Sequence, residues 1–232
     1  MLSKTTVKYI QSLQHKKFRD EHHAFIAEGP KLVIDLIEDG FFELEMLFAV
    51  HDWVNQLNKS ILNKINNKVQ LIEEFELDKI AAYKSPNKVI GVFKKKSGVL
   101  DFNTKNKITL VLDDINDPGN LGTIIRTADW FGIKNIVCSM NTVDKYNPKV
   151  VQSTMSSLAR VNVIYVDLEN WLSNNKNIPV YCTLLDGIDI KSIKNKKEAI
   201  IVIGNEANGI SDKIQSLATQ NITIPKSLKI SL

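Results

Sequence analysis

The second half of this chain alternates apolar runs with helical patterns, and that alternation limits the fold more than any other feature. The runs lie at 108–112, 136–138, 161–166, 180–184 and 199–203. Helical spacing fills the gaps at 121–131, 148–158 and 210–218. Near-continuous apolar strands separated by helices make a parallel sheet covered on both faces, so the expected class is α/β.

The first run leads into the most informative stretch. Leu110, Val111 and Leu112 run into Asp113, Asp114, Ile115, Asn116, Asp117, Pro118, Gly119 and Asn120, and the helix that follows carries Arg126. A strand, a tight polar turn and a helix N-terminus form the usual ligand crevice of an open α/β sheet. Read as a first-turn residue, Arg126 opposes the positive end of the helix dipole, which points to a role other than helix stability. Asp-Pro-Gly-Asn is also the ordinary vocabulary of a plain turn.

Two later segments leave apolar runs with similar polar content. One is Gly204, Asn205, Glu206, Ala207, Asn208 and Gly209; the other is Ile224, Pro225, Lys226, Ser227 and Leu228. In a parallel sheet these loops gather at the carboxyl edge of the strands. A nicotinamide site needs Gly-x-Gly-x-x-Gly and an acid about 20 residues on. Gly119 and Gly122 have the wrong spacing for it, and there is no P-loop.

The first half reads as a smaller α/β unit. Leu32, Val33, Leu36 and Ile37 form a helical stripe between Pro30 and Gly40, entered from Phe25 to Gly29. Short strands are expected at 46–50, 69–72 and 89–93, with a Glu-rich helix at 73–82. Lys4, Lys8, Lys16, Lys17 and Arg19 sit among His15, His22 and His23, as either a solvated first helix or an RNA-facing patch. Polar segments at 94–98 and 103–107 read as a linker, which puts a domain boundary near residue 100.

The net charge of +4 permits a nucleic-acid partner without demanding one. Cys138 and Cys182 lie in apolar runs and read as buried thiols in a reducing compartment, with no metal role. The first residues hold no apolar stretch and no run reaches bilayer length, so the expected setting is cytoplasmic and away from membranes.

In order and spacing, these motifs resemble the SpoU (TrmH-type) RNA ribose methyltransferases of the SPOUT superfamily. The first motif, Asp-Pro-Gly followed by Asn-x-Gly-x-x-x-Arg, is matched by Asn120, Gly122 and Arg126. The second, Gly-x-Glu-x-x-Gly, is matched by Gly204, Glu206 and Gly209; the third, Ile-Pro then Ser-Leu, by Ile224, Pro225, Ser227 and Leu228. Residues 147–151 and 155–157 are similar to the family's middle helix, with Ser156 where glycine is common. Residues 25–29 and 85–87 resemble the small substrate-binding domain of many members. The third motif departs from the pattern: Lys229 replaces Asn, and Lys226 alone separates Ile-Pro from Ser-Leu. The family's pattern has a longer loop at that point and a last helix after it, so the resemblance leaves two alternatives: further residues between Lys226 and Ser227 and beyond Leu232, or a cofactor pocket cut short.

The resemblance implies an RNA substrate-binding domain over 1–100. It implies a methyltransferase domain with a trefoil knot over 101–232, its C-terminal end short of the family's pattern. The implied reaction moves a methyl group from S-adenosylmethionine to a ribose 2′-hydroxyl of structured RNA, ribosomal ahead of transfer RNA. The implied assembly is a homodimer without metal. The catalytic set is Arg126, Asn120, Glu206 and Ser227. The cofactor set is Gly204, Asn205, Ile224 and Leu228, with Thr183 and Leu184 on the adenine side. A guanidinium stays protonated, so Arg126 is expected to hold a phosphate and stabilise the ribose oxyanion, not to take a proton. Asn120 orients Arg126 or the ribose, or braces the turn. Glu206 pairs with Arg126, accepts from substrate, or caps the helix near Ile210. Gly204 lets the chain approach a ligand closely. The altered third motif leaves a second reading open, an RNA-binding module of the same fold that no longer reacts.

Overall fold

The computed structural model describes residues 1–83, 88–96, 103–193 and 197–225. The chain divides into two units, Met1–Gly98 with Asp144–Arg160, and Val99–Val143 with Val161–Leu232.

The first unit is built on four strands, β1 (Ala24–Glu28), β2 (Leu44–Ala49), β3 (Val69–Leu71) and β4 (Val89–Lys94), in the order β1-β4-β2-β3. β4 runs antiparallel to both neighbours, and β2 and β3 are parallel. β1 carries no alternation because all five of its residues are buried; this strand was not expected from sequence. Its Glu28 is only 1% exposed, and the carboxylate accepts the Ala82 amide at 2.6 Å. The helix Pro30–Asp39 starts on Pro30 and stops at Gly40, whose φ of 72° supplies the left-handed cap.

Segment 144–160 lies in the second half of the sequence but in the first unit of the structure. Its helix Pro148–Thr154 packs on β1. Tyr146 sits 4.9 Å from Phe25, which also stacks on Phe93 and meets Phe42 edge-on. Arg19 anchors the start of this segment. Its Nε and Nη2 donate to Asp144 at 3.0 and 2.7 Å, and its Nη1 donates to the carbonyls of Leu13 and Gln14. Arg19 is 2% exposed, which removes it from any RNA-facing patch. Helical spacing runs on to residue 158, but the helix ends at Thr154. Met155 and Ser156 both take positive φ, 49° and 72°, and break the ladder.

The second unit holds a six-stranded sheet of β5 (Ile108–Asp113), β6 (Asn135–Ser139), β7 (Asn162–Val166), β8 (Val180–Asp189), β9 (Ala199–Gly204) and β10 (Gln220–Thr223). The order is β10-β8-β9-β5-β6-β7 and every pairing is parallel, as the apolar runs predict. Val111, Val137, Val180, Ile200 and Val202 pack under the helices Leu168–Asn174 and Asp212–Gln215. After β5 the chain builds towards β6 and β7; it later returns to lay β9 on the other side of β5. That reversal opens a crevice at the carboxyl ends of β5 and β9. No helix among the described residues is long and apolar enough to cross a membrane.

Two outcomes test this account. Arg19→Ala leaves Asp144 buried and unpaired, and is expected to lower unfolding free energy by about 3–5 kcal/mol in a denaturant titration. Ser156→Gly relieves a left-handed non-glycine residue and is expected to raise stability by about 0.5–1 kcal/mol in the same assay.

Candidate active site

The crevice is held open by hydrogen bonds between its two loops. Asp113 ends β5 in register with Gly204 of β9. Its carboxylate, 8% exposed, accepts both the amide and the hydroxyl of Ser211 at 2.8 Å. Asp114 turns out of the strand at a φ of 62°, and its carbonyl accepts the Asn205 side-chain amide at 2.8 Å. The Asn205 Oδ1 accepts the amides of Ala207 and Asn208 at 2.8 and 3.0 Å. Asn205 and Gly209 exchange two backbone hydrogen bonds, which curl residues 204–209 back on themselves.

That curl explains Gly204 differently from its sequence reading. A Cβ at 204 would overlap the backbone of Gly209 and Ile210. Glycine is needed there because the loop meets itself, a requirement that holds whether or not a ligand also comes close. Asn205 likewise uses its side chain to build the loop.

The helix Pro118–Trp130 starts three residues before the apolar spacing begins. Asp117 caps it, accepting the Asn120 amide at 2.8 Å, and Pro118 takes the first helical position. Asp-Pro-Gly-Asn is therefore the helix start itself. Arg126 lies more than two turns in, beyond the reach of the dipole end, so the dipole argument for Arg126 does not hold. Asp117 braces the turn through the Asn120 backbone amide, and the Asn120 side chain points elsewhere. It donates to the Glu206 carboxylate across the crevice. Of the roles open to Glu206, pairing with Arg126 and capping a helix are not what forms. Arg126 is exposed and, among the described residues, has no ion-pair partner. Asp129, a neighbour on its helix, pairs with Lys134 at 3.6 Å.

Beside the curled loop lies a cleft of about 730 Å³, lined by β8, the 204–209 loop and the end of β10. β8 makes one wall by leaving its partner. Tyr181 and Cys182 pair with Gln220 and Asn221, then Ile188 and Asp189 pair with Ile222 and Thr223, so residues 183–187 bulge out. Thr183 donates to the Val202 carbonyl at 2.8 Å, and Thr223 donates to the Leu185 carbonyl at 3.1 Å. A Cβ on Gly187 would come within 2.7 Å of the Ile222 backbone. Leu185 and Ile224 line the cleft as exposed apolar side chains, 81% and 77% accessible. Beneath the bulge, burial pushes the Cys182 thiol up to about 11, helped by the charge of Asp113, so it stays protonated.

The structure thus gathers Thr183, Leu184, Gly204, Asn205, Glu206 and Ile224 around one cleft. Asn120 reaches it through Glu206. Arg126 does not line it; Arg126 lines an open groove of about 490 Å³ with Thr123, Thr127, Trp130 and Phe131. Ser227 and Leu228 lie outside the described residues. Sequence reasoning missed the Asp113–Ser211 link, the Asp117 cap and Asp186 on the bulge. The cap had a signal, since Asp immediately before Pro suits an N-cap followed by the first helical position. The other two join residues far apart in sequence and had none. Among the described residues, no group of three or more His, Cys, Asp or Glu side chains is placed to hold a metal ion.

Comparison with known proteins fits this geometry. Residues 107–231 match the SpoU rRNA Methylase family, and residues 4–91 match the MRM3-like substrate binding domain. The chain is 32% identical over 165 residues to rRNA methyltransferase 3, mitochondrial, of Xenopus laevis, a match covering 68% of this chain and 38% of that protein. It therefore spans under half the length of that mitochondrial relative. It is 27% identical over 224 residues to a 23S rRNA (guanosine-2′-O)-methyltransferase of Bacillus subtilis, covering 94% of this chain and 86% of the relative. The AdoMet-bound rRNA methyltransferase of Sinorhizobium meliloti superposes with a TM-score of 0.85 at 30% identity, covering 100% of this chain and 91% of that one. With more than half its length matched, and with both motif loops meeting at one crevice, the chain belongs to the SpoU rRNA methylase family.

Proposed function

We propose that this chain transfers a methyl group from S-adenosylmethionine to the 2′-hydroxyl of a ribose in structured RNA, ribosomal ahead of transfer RNA. The observation that carries the reading is the bond from Asn120 to Glu206. It joins the donor-sized cleft to the helix that bears Arg126. The cleft suits the donor. Its volume is that of a small-molecule site, and its exposed leucine and isoleucine suit a flat purine. The bound donor supplies a methyl carbon made electrophilic by its positive sulfur.

The chain's own residues must then place a weak nucleophile and support its developing charge. Arg126 suits that support, because its planar fork stays charged and grips phosphate and oxyanion together. Asn120 holds the Glu206 carboxylate still, and in this reading Glu206 accepts from a ribose hydroxyl. Orientation of the two substrates contributes several kcal/mol of such a barrier. Ser227 and Leu228 complete the cofactor set in this reading.

The same reading carries a division into residues 1–100 for RNA binding and 101–232 for transfer, with the family's trefoil knot in the latter, while segment 144–160 packs with the first unit. It also carries a homodimer. Trp130 and Phe131, 85% and 74% exposed on the helix face that bears Arg126, support a second copy seated there. Two buried cysteines, Cys138 and Cys182, that form no disulfide support a reducing, cytoplasmic setting.

Arg126→Ala is expected to lower single-turnover methyl transfer at least about 100-fold while donor affinity by calorimetry changes little. Near-normal turnover removes Arg126 from the mechanism. In light scattering, the wild-type chain is expected at twice its own mass and Trp130→Ser at a lower mean mass. A wild-type mass equal to one chain refutes the dimer.

A further inference from the structure

Among the described residues that line the cleft, two carry formal charge, and both are acids: Asp186 and Glu206. No lysine, arginine or histidine is among these described lining residues. Glu206 is already held by Asn120. Among the described residues Asp186 has no such partner; it sits exposed beside Leu185 on the bulge. The bulge itself is a built feature. Thr183 ties its start to β9, Thr223 ties the Leu185 carbonyl to β10, and Gly187 closes it against the Asn221–Ile222 backbone. A carboxylate on a pinned bulge presents its charge at a fixed place on the cleft wall.

We propose that Asp186 is a specificity residue that makes the cleft prefer a cationic ligand, and so distinguishes the methyl donor from its own product. This rests on the methyl-donor reading above. S-adenosylmethionine carries a sulfonium; S-adenosylhomocysteine lacks its methyl group, carries a neutral thioether and is otherwise the same molecule. Methyl transfer breaks the S–CH₃ bond, leaves its electron pair on sulfur, forms the O–CH₃ bond and releases the hydroxyl proton to water. The reaction therefore removes the charge that the carboxylate attracts, and the spent ligand leaves more easily than the fresh one. Adenine nucleotides share the purine but bring anionic phosphates towards the same carboxylates, so the cleft rejects them.

The test measures binding of both ligands to the full chain by calorimetry, in ~50 mM and ~500 mM salt. Wild type is expected to bind S-adenosylmethionine about 3- to 10-fold more tightly than S-adenosylhomocysteine at low salt, the scale of one half-solvated charge pair. That ratio is expected to shrink at high salt, and ATP to bind more weakly than either. Asp186→Asn is expected to bring the ratio towards one while the product's affinity changes little. The inference is overturned by a wild-type ratio of one, by a variant that keeps the wild-type ratio, or by one that weakens both ligands equally. If the variant fails to fold, the wild-type ratio and its salt dependence decide alone. A wild-type chain that binds neither compound sinks the methyl-donor reading, and this inference with it, which is a different result from binding without preference.

Discussion

The site depends on one buried carboxylate. Asp113 ends a central strand and takes both the amide and the hydroxyl of Ser211 from the loop after the neighbouring strand. A carboxylate this buried is tolerated only when its oxygens are satisfied, and two hydrogen bonds to a charged acceptor are each stronger than neutral ones. The link fixes where the 204–209 loop begins its return. Asn205 then ties that loop to Asp114, and the loop's curl brings Glu206 to Asn120. Everything read as chemistry here is downstream of that geometry.

A similar economy of fixed points shapes the first unit. Arg19 gathers Asp144 and two carbonyls, and Tyr146 inserts among Phe25, Phe42 and Phe93. Together they hold a segment whose strands before and after belong to the other unit. The chain thus contributes to each unit twice. Compact units here are not stretches of sequence, and the polar linker is not the only crossing between them.

Much of this was legible from the residue pattern. Buried parallel strands are apolar throughout, so β5, β6, β7, β8 and β9 stood out by composition alone. The glycines and acids of the two loops were visible because of their order and spacing along the chain, each being ordinary turn vocabulary alone. β1 was not legible: a short strand buried on every side has no period to detect, and Phe25 to Glu28 reads equally as the approach to a helix. The end of the helix at Thr154 was hidden too, since two non-glycine residues in left-handed conformation carry no composition signal. Arg126 was picked out by motif, but its place on the helix was misread. The helix begins at its proline, ahead of its first apolar residue.

By itself, the sequence determined the class of the sheet, the motif loops and the residues they carry. Those follow from local chemistry: apolar runs must be buried, proline and glycine restrict the backbone, and a strand-turn-helix makes a crevice. Only the tertiary structure decided what each loop residue does. Gly204 is glycine because its own loop returns onto it, Asn120 bonds Glu206 because the 204–209 loop curls towards the helix start, and Asp186 reaches the cleft because β8 breaks register with β10. Each of these depends on atoms brought together from distant parts of the chain, and no local pattern encodes such a meeting.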